Sequence, residues 1–326
     1  MRKILSLVGL SVVGSLLGCG GVFRPFAYAE PDNCALNPGV CGAGSECNFQ
    51  REVCEPSVAL PQVARPVWRQ QAKLSASDGG IGDFFGAASA LSGDTVLLGA
   101  PFSDVESTAN AGAAYAFVLD PDHGVWKQQA KLVAGDAATG ALAGYALALA
   151  GDTALLTARA ASPGGVAQAG AAYLFARSPV AATWVQQAKL VASDGAAGDK
   201  FGSQAALAAD VAVVGAAAAD SLGKPDAGAV YFFARTAPGG TWMQLQPRLA
   251  PADLGPGDNF GAAIALSGDT ALVGAPLADQ GNSADAGAAY VFVRSAASGL
   301  WTQQAKLVAS GGAAGDAFGS AVALSV

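Results

Sequence analysis

From Trp68 onward the chain alternates short apolar runs with turn residues, and the alternation repeats. "FGAAIALSGDTALVGAP" at Phe260 to Pro276 nearly restates "FGAASALSGDTVLLGAP" at Phe85 to Pro101. Weaker versions open at Ala143 and Phe201, and a last one opens at Phe318. All five tryptophans, Trp68, Trp126, Trp184, Trp242 and Trp301, keep the same step, with spacings of 58, 58, 58 and 59. A word "AGAAY" or "AGAVY" accompanies them at Ala111, Ala169, Ala227 and Ala286. Such a fixed period marks a repeat architecture.

Each period splits into four runs of strand length. "FGAAIALS" alternates small and larger apolar residues, and "TALVGA" is a short continuous apolar run. "AAYVFVR" sets Tyr290, Phe292 and Arg294 against Ala289, Val291 and Val293. "WKQQAKL" sets Trp126, Gln128, Ala130 and Leu132 against Lys127, Gln129 and Lys131. A period near two, bounded by Gly, Ser and Asp, predicts strands, with "SGDT" as the hairpin turn between the first two. Four antiparallel strands per period predict the blade of an all-β propeller. "WMQLQPRL" carries an extra residue and Pro247, which suits a bulged outer edge strand.

Phe260-Gly261 and Gly274-Ala275-Pro276 resemble the signature of the FG-GAP repeat, a family similar to the propeller of integrin α chains. The resemblance covers 68–326. Copy three keeps Phe201-Gly202 but reads Gly215-Ala216-Ala217, and copy two reads Ala143-Gly144 and Thr157-Ala158-Arg159, so both halves have decayed. On this reading Phe and Gly fill the narrow centre and let blades approach, Gly-Ala-Pro ends a buried strand, and Trp covers the gap between blades. Counting from Trp68 gives four full four-stranded blades, with an unpaired outer strand at Trp68–Leu74 and an unpaired inner strand at Phe318–Leu324. The expected seam is therefore imperfect, either an open arc or a ring with irregular terminal pairing.

The N-terminus changes the compartment. Arg2 and Lys3 precede an apolar stretch from Ile4 to Leu17 that is too short for a stable span. Leu16-Leu17-Gly18-Cys19 resembles a bacterial lipobox, which implies a signal peptide over 1–18, lipidation of Cys19 and a tether over 19–33. Ala27-Tyr28-Ala29 before Glu30 is the competing site for ordinary secretion. Cys34, Cys41, Cys47 and Cys54 then fall within 34–54, an even number in an oxidising compartment, and no C-x-x-C pair suggests zinc. Two disulfides are expected, and four cysteines allow three pairings. The loose likeness to an EGF-like module implies Cys34–Cys47 with Cys41–Cys54. Residues 55–67 hold three prolines and read as a linker.

The net charge of −7 argues against nucleic acid, whose binders need a basic surface. Catalytic chemistry is sparse. His123 is the one histidine, and no carboxylate pair is singled out for glycosidase work. The long loops after strands two and four hold fourteen carboxylates against Arg159, Lys200 and Lys224, while Lys and Arg gather on the outer strands. This predicts an acidic face with Asp194, Asp199, Asp253, Asp258, Asp279 and Asp285 as candidate ligand contacts, or else simply turn-forming aspartates. The calcium loops of integrin-type repeats are not carried over, because "SGDT" offers one carboxylate where calcium takes six to eight oxygens. Asp194 and Asp199 alone are candidates for a weakly held calcium ion.

The sequence therefore points to an exported, lipid-anchored, non-catalytic propeller at the cell envelope that binds a protein or glycan. A hydrolase using the acidic face and a purely structural envelope component are the alternatives.

Overall fold

The computed structural model of the chain describes residues 45–48, 53–56, 70–178, 180–237 and 239–325. The described residues divide into two units, one ending at Gln71 and one running from Ala72 onward. In the first, β1 (Ser45–Asn48) and β2 (Val53–Pro56) pair antiparallel, with Cys47 opposite Cys54. Strand pairing thus runs two residues past the expected module boundary at Cys54, into the start of the expected linker. Cys19, Cys34, Cys41 and Trp68 lie outside the described residues.

The second unit is four antiparallel sheets of four strands. Blade one is β3 (Ser89–Ser92), β4 (Thr95–Ala100), β5 (Ala113–Asp120) and β6 (Val125–Leu132). Blade two is β7 (Ala143–Ala150), β8 (Thr153–Ala158), β9 (Ala171–Arg177) and β10 (Trp184–Leu190). Blade three is β11 (Phe201–Ala208), β12 (Val211–Ala216), β13 (Ala229–Ala234) and β14 (Met243–Gln244). Blade four is β15 (Ala263–Ser267), β16 (Thr270–Ala275), β17 (Ala288–Arg294) and β18 (Trp301–Leu307). The strands meet their neighbours in chain order, as an up-and-down blade requires.

Two expectations about side-chain placement are corrected. The outer strands do not alternate strictly. Register slips between Gln128 and Ala130, and between Gln186 and Ala188, leaving the second glutamine unpaired in a bulge. Gln129 then accepts the Trp184 indole N–H of the next blade at 3.0 Å. Nor does the phenylalanine of Phe-Gly fill the centre. Phe201 is fully buried between blades two and three, against Leu155, Leu174, Tyr231 and Phe233. It meets the Tyr231 and Phe233 rings edge-on at 5.3 and 5.9 Å. An aromatic ring gains from the edge-on apolar contacts of this seam.

The glycines answer to backbone contact. Gly228 and Phe260 form a parallel bridge between consecutive blades, and Gly112–Ala143, Gly170–Phe201 and Gly287–Phe318 repeat it. Phe201, Phe260 and Phe318 each donate their N–H to the alanine before the partner glycine, at 2.9, 3.0 and 2.9 Å. The "AGAAY" word and the Phe-Gly word are thus two sides of one inter-blade seam. Trp301 covers a gap between blades as expected, stacking on Phe232 of blade three at 4.5 Å.

In blade three Pro247 cuts the outer strand to two residues, and bonding resumes at Leu249 with Val230. Among the described residues the half-blades at the two ends form no strand. Leu74 and Ala76 pack on blade one, whereas Phe318, Val322 and Leu324 pack on blade four. Without a second and third strand between them, neither segment has a ladder to join.

The turn between the first two strands of each blade places Gly93, Gly151 and Gly268 at φ 54°, but blade three has Ala209 there at φ 48°. An alanine pays a steric penalty in the left-handed region that glycine escapes. Ala209→Gly is expected to stabilise the protein by about 1 kcal/mol, read as a raised midpoint in urea. No change, or a loss, would contradict this.

Candidate functional site

The acidic residues of the loops are mostly spoken for within the fold. Lys131 Nζ donates to Asp78 at 2.7 Å, Lys189 to Asp136 at 2.6 Å and Lys306 to Asp253 at 2.7 Å, while Arg248 Nε lies 3.2 Å from Asp194. The cations of the outer strands thus reach back to the loops, and the division into an acidic face and a basic rim is corrected accordingly. Tyr290 also donates to Asp253, at 3.3 Å. Asp199 and Asp258 are buried and accept the N–H of Ala196 and Gly255 at 2.9 and 2.8 Å. Asp279 accepts the N–H of Asp285 at 3.0 Å, and Asp285 itself sits at φ 53° in the turn before Ala286. Among the described residues no three His, Cys, Asp or Glu side chains group as metal ligands. Asp194 faces Arg248 rather than Asp199 in its shortest polar contact.

These partners move the titrations in both directions. Burial pushes Asp136 up, but the Lys189 and Tyr173 hydrogen bonds outweigh it and hold the carboxyl below its usual range. Burial wins at Asp199 and Asp258, whose carboxyls lie above it. Asp136 therefore stabilises the fold above the unfolded carboxyl range near pH 4, and this contribution is lost as pH falls through its lower folded value. Lys189→Met is expected to cost less than about 1 kcal/mol at neutral pH, because the pair is partly exposed and screened. The gap between wild type and variant should close in acid, as pH falls through the lowered Asp136 titration, whereas Asp199 and Asp258 act alike in both proteins and cancel. A gap that persists in acid would show that packing, not the ion pair, carries the effect.

His123 sits in the turn between β5 and β6, largely exposed, with Nδ1 2.9 Å from Asp120. Lys127 and then His123 hold Asp120 at about 2. This cluster lies on a hairpin tip and presents no nucleophile.

A different place collects the residues that the repeat does not explain. The first strands of the four blades converge on a cavity of about 420 Å³, lined by Ala87, Ala88 and Ser89, by Tyr145, by Ser203 and Gln204, and by Ala262, with Phe84, Pro101 and Phe102 at its side. The third residue of the Phe-Gly word is Ala87, Ser203, Ala262 or Ser320 in four copies but Tyr145 in copy two. The residue after Gly-Ala is Pro101, Ala217 or Pro276 but Arg159 in copy two. These two departures meet, with the Arg159 guanidinium 3.7 Å over the Tyr145 ring. Copy one places Phe84 in a column with no fixed residue, where the others have Leu142, Lys200, Asn259 and Ala317, all of them at φ between 51° and 59°. Copy one departs at Phe102, which aligns with Ala160, Ala218 and Leu277. Phe84 and Phe102 touch at 5.0 Å, and Phe84 is 65% exposed. Copy three departs at Gln204, where the others have alanine. Reading copy two as mere decay hid this site, and aligning the copies column by column is the signal that finds it.

The FG-GAP repeat family matches residues 68–117, 126–175, 184–233, 242–292 and 301–326. Among curated proteins none matches. Among solved structures the chain is similar to a 6-phosphogluconolactonase candidate from Bacteroides uniformis ATCC 8492, at 15% identity and a TM-score of 0.45. That similarity covers 68% of this chain and 54% of the other. With five matches in register on a scaffold of four-stranded blades, the chain belongs to the FG-GAP repeat family.

Proposed function

We propose that this chain is a non-catalytic binding protein of the cell envelope, and that the axial cavity is where its propeller takes a protein or glycan. The observation that carries the reading is the gathering of copy-specific side chains. Phe102, Tyr145 and Gln204 depart from their columns in three different copies and line one cavity together with Phe84, and Arg159, a fourth departure, lies over the Tyr145 ring. A scaffold maintained only for packing gives no reason for such departures to converge, or to leave two phenylalanine rings partly exposed. The internal engagement of the candidate aspartates supports a binding role over a carboxylate hydrolase. Lipidation at Cys19 belongs to the same proposal as the means of anchoring.

The test is capture from envelope fractions and on a glycan array with the full mature protein, compared with a Phe84→Ala/Tyr145→Ala variant of equal melting temperature. A species retained by the wild type and lost by the variant is the expected result. Equal retention by both, or turnover of an ester or glycoside that Asp194→Asn abolishes, would overturn the reading. Mass spectrometry of the mature N-terminus is expected to find acylated Cys19, and an unmodified chain beginning at Glu30 would remove the anchor.

A further inference from the structure

We propose that the axial cavity receives a carboxylate presented next to an apolar side chain on a peptide segment, with Arg159 taking the carboxylate. This rests on the binding reading above and narrows its ligand.

The charge argument begins with the arginines. Arg177, Arg235, Arg248 and Arg294 each lie within 4.0 Å of an aspartate, namely Asp152, Asp210, Asp194 and Asp269. Arg159 is the described arginine that makes no ion pair among the described residues, although it belongs to the loop set richest in carboxylates. Its guanidinium is instead laid over the Tyr145 ring. Stacking holds the planar group in place while leaving its edge free, and that edge matches a carboxylate in bidentate fashion. A stacked, unpaired guanidinium beside a cavity is a preorganised anion receptor.

The apolar half is supplied by Phe84 and Phe102, which line the cavity with Tyr145. Phe84 and Phe102 have no polar edge to satisfy, and their rings meet at 49° rather than forming a flat platform. Such a pair suits an aliphatic or aromatic side chain better than the face of a sugar. Hydrogen-bonding capacity is also thin. Gln204 Oε1 already accepts the N–H of Ala205 at 2.9 Å and Ser203 Oγ donates to the Lys200 carbonyl at 2.8 Å, which leaves the Gln204 amide N–H with the Ser89 and Tyr145 hydroxyls. That is scant recognition for a ring of hydroxyls and sufficient for one or two peptide groups. A long anionic glycan would also meet the overall charge of −7, whereas one carboxylate on a short segment engages only the local cation.

The test uses the full mature protein with N-acetyl-Phe-Asp-amide, N-acetyl-Phe-Asn-amide and glucuronate as probes, measured by calorimetry or ligand-observed NMR. The Asp peptide is expected to bind about tenfold more tightly than the Asn peptide, as one charge-assisted contact supplies. Arg159→Gln should erase that ratio while leaving the Asn peptide within about threefold, and Arg159→Lys should restore it only in part. Phe84→Ala should weaken both peptides alike. Equal binding of the two peptides, a preference that survives Arg159→Gln, or no binding by any probe would overturn the proposal. Tighter binding of glucuronate would overturn the peptide class while leaving the cavity as the site. Peptide binding untouched by Phe84→Ala and Tyr145→Ala would instead remove the cavity itself.

Discussion

Gly228→Ala is expected to cost about 4 kcal/mol or more, a large part of the 5–15 kcal/mol that holds an ordinary domain together. Two effects add. The residue sits at φ 91°, where a side chain strains the backbone by about 1–2 kcal/mol. The added Cβ would also stand well inside contact distance of the Phe260 N and O, and 2.8 Å from its carbonyl carbon. Those atoms are backbone in the parallel bridge between blades three and four, so no rotamer change relieves the clash. Relief requires opening the seam, which exposes Phe260 and loosens the Phe260 N–H bond to Ala227. Gly268→Ala is the control. Its φ is 54°, and nothing lies within 4 Å of the added Cβ. It should cost only the conformational part, about 1 kcal/mol. Equal midpoints for the two variants in urea unfolding would show that the inter-blade contact is softer than its geometry states.

That contrast explains how much of the fold was legible. Period, strand length and turn residues are local properties, so four blades of four strands could be counted from Trp68, Trp126, Trp184, Trp242 and Trp301 alone. What a repeated residue touches is not local. Phe260 and Gly261 stand just before the first strand of their blade, and while Gly261 bonds Gly274 of its own copy, the partners of Phe260 are Ala227 and Gly228 of the preceding one. Nothing in either word says that it faces the other, so the phenylalanine was placed at the centre when it belongs in the seam. The carboxylates misled for the same reason. Asp78 and Lys131 stand 53 positions apart, and only the closure of the blade brings them to 2.7 Å. The binding candidate was half visible. Tyr145 and Arg159 were already departures from pattern, but a departure becomes a site only when a second one lies against it.

Trp301→Ala is expected to cost about 3–5 kcal/mol, the range for removing a buried tryptophan. Trp301 is 1% exposed and belongs to the cluster shared by blades three and four, where its ring stacks on Phe232 at an angle of 20°. Its backbone is clamped as well. The Trp301 N–H donates to Gln246 Oε1 at 2.7 Å, and Gln246 Nε2 donates to the Trp301 carbonyl at 3.1 Å. Gln246 stands 55 positions before Trp301, the same offset at which Gln129 of copy one reaches Trp184 of copy two. The substitution leaves the clamp intact and empties the ring's volume, and the cavity has rigid walls in Phe232 and Phe292 that cannot collapse fully. Trp184 offers the comparison. It is only partly buried, and its chief polar contact is the single bond to Gln129. Trp184→Ala should therefore cost clearly less, about 2 kcal/mol. Because the two residues occupy one column of the repeat, a sequence argument would give them equal weight. Calorimetry that ranks Trp184 with or above Trp301 would show that stability follows the column rather than the seam.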